Sequence, residues 1–246
     1  MRFDIVTVFP QMMRTMVGEG VLGRALEREV VRLGVHDLRD YTSDRHRTVD
    51  DVPYGGGPGM VLKAEPFIAA VGAIRSRHGA PDAVVLMSPQ GRSFSHREAL
   101  RLSRLRHVVL LCGRYEGVDD RVRDMLATEE ISIGDYVLTG GELPAAVVVD
   151  AVARFVPGVV GDARSVDDDS FVRGPFDHPH FTRPAEIDAH AVPDVLLSGH
   201  HGEIRRWRKR EALRRTLARR PDLLEGAALD SEDREILEEL DSVGEE

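Results

Sequence analysis

The chain has 246 residues, 42% of them hydrophobic and 30% charged, with a formal net charge of −9. No apolar run approaches the roughly 20 residues that span a bilayer, which excludes a helical membrane protein; the size suits one large or two smaller globular domains. Cys112 is the only cysteine, so no intrachain disulfide can form, and a reducing, cytoplasmic setting is expected.

The opening MRFDIVTVFP carries an acid at Asp4 and lacks a long apolar core. It reads as a first strand over residues 2–9 rather than a secretory leader. A helix is expected over 21–31, followed by RHRTVDDVPYGGGPGM (45–60), a glycine-rich loop in which Arg45 and Arg47 flank His46. His46 reads as a polar partner in a basic loop. A helix over 65–77 leads to AVVLM (83–87), a short apolar run typical of a strand buried on both faces of a parallel sheet. The loop SPQGRSFSH (88–96) and a helix over 96–104 come next. A second apolar strand over 108–112 encloses Cys112, expected as a buried, inert thiol. The loop CGRYEGVDDRV (112–122), a helix over 119–127 and the loop ISIGDYVLTGGELP (131–144) follow. The helix over 142–155 is apolar and holds the poor helix formers Val147, Val148 and Val149, so it must be buried in the core or against another subunit. Alternation of this kind defines an α/β domain. Ligands of such sheets sit beyond the carboxyl ends of the strands, where loops 88–96 and 112–122 should meet loop 131–144.

Residues 159–184 are different: three consecutive acids, prolines and no periodicity mark a linker or loop. Residues 185–198 are mixed. From 203 to 220 the chain carries nine bases against two acids and reads as a basic helix, ended by Pro221. From 222 to 246 it carries eleven acids and one base. The modest global charge therefore hides a basic face. Ser231 opens a last helix with a capping-box pattern in which Glu235 lies one residue beyond the ideal position; this helix is expected to be exposed and acidic.

The glycine-rich loop 131–144 has Asp135 and Glu142 but no Lys or Arg, unlike a phosphate-cradling loop. No G-x-G-x-x-G follows a strand, so the dinucleotide fingerprint is absent, and the P-loop and nucleophile-elbow patterns do not occur. Backbone donors, an apolar wall and acids suit an adenine ring and a cationic group, a combination found in S-adenosylmethionine. His178 and His180 in DHPHF could suggest a metal, but no second cluster completes a tetrahedral site, and no metal ligands are assigned.

GGGPGM, SPQGR, CGRYEGVDDRV, SIGDYVLTGGELP, HFTRP and SGHHGEIRRWR, in that order, resemble the bacterial tRNA (guanine-N1)-methyltransferases of the SPOUT class, over nearly the whole chain. The resemblance implies an α/β fold, a SPOUT-type parallel sheet with a deep trefoil knot, followed by a small, mostly helical domain. It divides the chain into a knotted methyltransferase domain (1–160), a linker (161–175) and a helical tRNA-binding domain with an acidic tail (176–246). It places S-adenosylmethionine on Leu86, Ser88, Pro89, Gly113, Tyr115, Glu116, Ser132, Ile133, Gly134, Asp135, Tyr136, Val137, Leu138, Gly140, Gly141 and Pro144. It implies methyl transfer to N1 of guanine at tRNA position 37, beside the anticodon, with Asp169 as general base and Arg154 offsetting charge on guanine O6. In the run of acids 167–169, neighbouring like charges make a carboxylate a stronger base. Arg45, Arg47, Arg205, Arg206, Arg208 and Lys209 are the expected contacts to the tRNA anticodon stem-loop, and Trp207 either stacks on a base or packs in the core. The resemblance further implies a homodimer with shared active sites, and magnesium as an aid to catalysis, with no residue marking its site. Where the family commonly has Tyr, this chain has Phe181. Two competing readings are a non-catalytic RNA-binding or ribosome-assembly protein and a SPOUT enzyme acting on rRNA.

Overall fold

A computed structural model describes residues 1–161 and 169–243. The chain divides into two compact units, Met1–Gly161 and Asp162–Glu246.

The first unit is built on a five-stranded parallel sheet in the order β2-β1-β6-β5-β7. Its strands are β1 (Arg2–Thr7), β2 (Arg32–Asp37), β5 (Ala83–Ser93), β6 (His107–Cys112) and β7 (Glu129–Ser132); β3 (Asp50–Asp51) and β4 (Val61–Leu62) form a separate short hairpin. Strand alternation divides the apolar side chains between two cores. Phe3, Ile5, Val85, Met87, Leu110, Cys112 and Ile131 face helices α1 (Pro10–Val17), α2 (Gly20–Glu27), α4 (His96–Ser103) and α6 (Glu142–Ala153). Val6, Val84, Leu86, Val109 and Leu111 face α3 (Ala64–His78) and α5 (Asp120–Leu126). A central strand such as β6, buried at every residue, must be apolar on both sides, which is why its run was readable.

The helix expected over 21–31 ends at Glu27. Glu29 takes φ 55°, a left-handed turn that no helix continues through, and the chain then enters β2. β2 and β7 are the two edges of the sheet. The sequences RLGVHD and EEIS are short or polar, as edge strands tend to be, and they escape a search for apolar runs. α1 is likewise not among the expected helices, although Pro10 stands at its start and its buried residues Met13 and Val17 lie one turn apart. Cys112 is fully buried, and burial, then the charge of Glu142, pushes its thiol pKa well up.

At the other end of the sheet a buried charge is fully partnered. The Asp4 carboxylate, with no exposure, accepts from Arg2 Nε at 2.6 Å, contacts His36 Nε2 at 2.6 Å and His107 Nε2 at 2.8 Å. Burial opposes its ionisation, but the bonds from His36 and Arg2 and their charge outweigh burial and hold its pKa well below the usual carboxylate range.

In the second unit the short hairpin β8 (Glu186–Ile187) and β9 (His190–Ala191) precedes α7 (Asp194–Leu197), the long α8 (His201–Arg219), α9 (Asp222–Glu225) and α10 (Ser231–Val243). Leu213 and Thr216 of α8 and Ile236 of α10 are buried, and α10 packs along α8. The last helix is therefore amphipathic rather than freely exposed. Its cap also differs from the expected Ser231–Glu235 box: Asp230 Oδ1 accepts from the Asp233 amide and Asp233 Oδ2 from the Asp230 amide, both at 2.9 Å. Asp completes the reciprocal box one residue earlier.

Candidate functional site

The β5 ladder runs to Met87, opposite Ile131, then leaves the sheet and resumes at Arg92, again beside Ile131. The excursion is Ser88 to Gly91. The return needs a glycine at 91, because a Cβ there would lie 2.5 Å from the backbone of Glu130 and Ile131. After β6, the chain turns through Arg114 to Gly117 with Tyr115 at φ 60°, a conformation that a bulky residue seldom adopts and that clusters at binding sites. After β7, the chain runs back along this turn. The Gly141 amide donates to Gly113 O at 2.9 Å, and Gly140 bridges Arg114 in antiparallel fashion.

These three segments line one cleft. Of the residues expected at the cofactor, Ser88, Pro89, Gly113, Tyr115, Glu116, Ser132, Ile133, Tyr136, Val137, Leu138, Gly140, Gly141 and Pro144 line it. Leu86 does not: strand alternation sends it to the α3 side, and Met87 lines the cleft instead. Gly134 and Asp135 form the bend of the loop and stand outside the lining. Tyr115, Tyr136 and Val137 are exposed at the mouth, Val137 to 84%, leaving apolar surface that a ligand can cover. Arg114, Gly117, Ile131 and Thr139 also line the cleft. Arg114 matters most, because loop 131–144 lacks any cation and its neighbour supplies one. The loop 45–60 comes close as well: the Glu116 amide donates to Met60 O, and the Leu62 amide to Gly117 O, each at 3.0 Å.

Arg154 caps the carboxyl end of α6 and is exposed. Asp169 is half-buried in the second unit, where it lines a cleft with Arg173, Asp177, His178, Arg205, Arg208 and Lys209. Asp167 and Asp168, with the rest of residues 162–168 of the expected linker, lie outside the described residues. His178 Nδ1 and His180 Nε2 contact opposite oxygens of Asp177 at 2.7 and 2.8 Å. Burial lowers the pKa of His178; burial opposes ionisation of Asp177, but the bonds from His180 and the His178 amide outweigh it and hold its pKa low. The three groups lie close enough together to share a metal ion, with His178 and His180 offering nitrogen ligands.

The expected RNA contacts are exposed at Arg45 and Arg47, and Arg47 is paired with Asp40. On α8 the basic side chains face the acids of α10 and the residues just before it. Arg206 meets Glu239 at 2.6 Å and Glu235 at 3.3 Å, Arg210 meets Glu239 at 2.7 Å, and Lys209 meets Asp230, Glu232 and Asp233 at 2.6 to 3.1 Å. Arg205 lies 3.6 Å from Glu232. Asp230 is held down to about 2, first by its bond from Lys209. Among the described residues, Arg208, Arg215 and Arg219 make no ion pair. Trp207 is half-buried with its ring 6.2 Å from that of Phe181.

A parallel α/β sheet with a ligand-sized cleft beyond the carboxyl ends of three neighbouring strands, joined to a helical unit rich in paired charge, defines a class of small-molecule-binding α/β proteins. The comparison with known families is more specific. The family model described as tRNA (Guanine-1)-methyltransferase TrmD matches residues 1–226. Among curated relatives, a tRNA (guanine-N(1)-)-methyltransferase of Pelotomaculum thermopropionicum is 55% identical over 98% of this chain and 96% of its own. One from Geobacter metallireducens is 50% identical over 98% of both chains. One from Chloroflexus aggregans is 55% identical over 93% of this chain and 89% of its own. The chain belongs to the tRNA (guanine-1)-methyltransferase TrmD family.

Proposed function

We propose that the protein methylates N1 of a guanine in tRNA, at position 37 beside the anticodon, with S-adenosylmethionine as donor. What carries this reading is the coincidence of full-length family membership with the cleft of loops 88–91, 113–117 and 131–144. The cleft's chemistry suits the donor. Backbone groups at Gly113 and Gly140 can meet a purine edge, Ile133, Tyr136, Val137 and Leu138 offer apolar cover, and Glu116 brings negative charge. When bound, the donor supplies a methyl group on a cationic sulfur. The wrapping of the chain after β7 back against Gly113 and Arg114, before α6 packs on the sheet, supports the knotted reading of the first unit.

Guanine N1 carries a proton and is a poor nucleophile until it loses it. Asp169 is the base in this reading; its carboxylate lines a cleft that also holds Arg173, Arg205, Arg208 and Lys209 against the acids Asp177 and Asp233, cations that suit an anionic RNA. The Arg154 guanidinium, exposed at the end of α6, offsets the charge that develops on O6. Exposed Phe9, Met12, Leu143 and Val147 on and beside α1 and α6 support a homodimer closing over this face. The Asp177–His178–His180 group offers nitrogen ligands where magnesium takes oxygen, so it does not suit magnesium, and no step is assigned to that ion.

Titration with S-adenosylmethionine and with ATP tests the donor, and methyl transfer to tRNA and rRNA transcripts tests the acceptor. Preference for ATP overturns the first part of the reading; transfer to rRNA alone overturns the second.

A further inference from the structure

We propose that Glu142 is a positioning residue of the cofactor cleft, holding Arg114 and, through it, residues 139–141, and neutralising the one cation that the described residues place in the cleft wall; the inference rests on the cofactor reading above. Glu142 opens α6 and its side chain has no exposure. A carboxylate that deep persists only with partners. Oε1 accepts from Thr7 Oγ1 at 2.7 Å. The hydroxyl is committed to that role, because its oxygen also accepts from the Phe9 amide at 2.9 Å. Oε2 has no hydrogen bond and lies 3.6 Å from Arg114 Nη1.

Arg114 is the hinge of the arrangement. Its guanidinium stands over the Phe9 ring, 4.7 Å from the centre, and Nη1 donates to Thr139 Oγ1 at 3.2 Å. The packing leaves no space at residue 140: a Cβ there would come within 2.5 Å of Glu142 Oε2 and 2.7 Å of Arg114 Nη1. The end of β1, the turn after β6, the loop after β7 and the start of α6 thus meet on one buried carboxylate. Arg114, Thr139, Gly140 and Gly141 line the cleft, whereas Thr7, Phe9 and Glu142 do not. Glu142 therefore acts through its neighbours. An unbonded buried oxygen is costly, and a hydrophobic side chain would fill the same space; what the anion adds is a fixed, compensated Arg114. Without it, an uncompensated guanidinium faces a ligand whose sulfur is positive.

That last consequence separates positioning from plain stability. S-adenosylhomocysteine has the same shape without the sulfonium charge. By calorimetric titration, Glu142→Gln is expected to weaken S-adenosylmethionine by about tenfold, the effect of one uncompensated charge near the site, and S-adenosylhomocysteine by clearly less. Hydrogen exchange at residues 139–141 in the ligand-free protein should quicken. If Glu142→Gln fails to fold, Thr7→Val, which loosens the carboxylate but keeps its charge, carries the exchange measurement alone, and unchanged exchange at residues 139–141 in that variant overturns the proposal. Equal binding of both ligands by wild type and variant, or equal loss of both with unchanged exchange, overturns the proposal. If the wild type binds neither ligand, the functional reading fails, and the exchange measurement alone still decides whether Glu142 holds the segment.

Discussion

In the proposed mechanism Asp169 and Arg154 carry different burdens, and their variants should fail differently. A general base contributes about 10²–10⁴-fold, so Asp169→Asn should lower kcat by that order while S-adenosylmethionine binding, measured by titration, stays within twofold of wild type. Arg154→Ala should cost about 10²-fold in kcat. Full turnover by either variant, in single-turnover assays on a tRNA transcript, removes that residue from the mechanism. Asp4 makes a prediction about stability alone. Its folded pKa is depressed, so its contribution is complete above the ordinary carboxylate range and is lost as pH falls through and below it. Asp4→Asn removes the anion that Arg2, His36 and His107 share and should cost about 3–5 kcal/mol near pH 7. Urea midpoints should converge for the two proteins toward acid pH; a constant gap across pH contradicts the assignment.

At the scale of elements, the pairing of α8 with α10 changes what the basic run means. Nine bases in eighteen residues announce an RNA face, yet Arg206, Lys209 and Arg210 are spent on acids of α10 and on Asp230 just before it. Glu239 holds two of them. Glu239→Gln should therefore release Arg206 and Arg210, tighten tRNA binding at low salt and steepen the log–log salt dependence by roughly one to two. An unchanged slope in filter-binding measurements means this side of α8 does not meet phosphate. The pairing was not visible in the sequence, because net charge is counted along the chain and the partners are 21 to 33 residues apart. The capping of α10 was misread for a smaller reason: Ser231 and Asp230 are both good caps, and only the geometry of Asp233 chooses between them. The central strands were legible from their apolar runs, whereas the edge strands β2 and β7 were not, since one face of the pairing is missing and polar residues are tolerated there.

For the whole molecule, the three strand-end loops were legible as a site because glycine and strained turns leave a local mark, and the structure brings them into one cleft. Arg114 was not singled out, because its place in that cleft depends on Glu142 and Phe9, from distant parts of the chain. In the proposed homodimer the exposed apolar residues of α1 and α6 would carry the subunit contact: Val147→Glu should then give a monomer by light scattering and lose transfer activity while S-adenosylmethionine binding weakens far less, whereas an unchanged dimer assigns the interface elsewhere. The central claim remains methyl transfer to one atom of one base. Reaction with bulk tRNA and S-adenosylmethionine, followed by mass-spectrometric mapping of the product, tests it most directly. The account predicts N1-methylguanosine at the base just 3′ of the anticodon, formed about 10²–10⁴-fold more slowly with Asp169→Asn; a methyl group on any other base or atom, or none at all with the wild type, contradicts it.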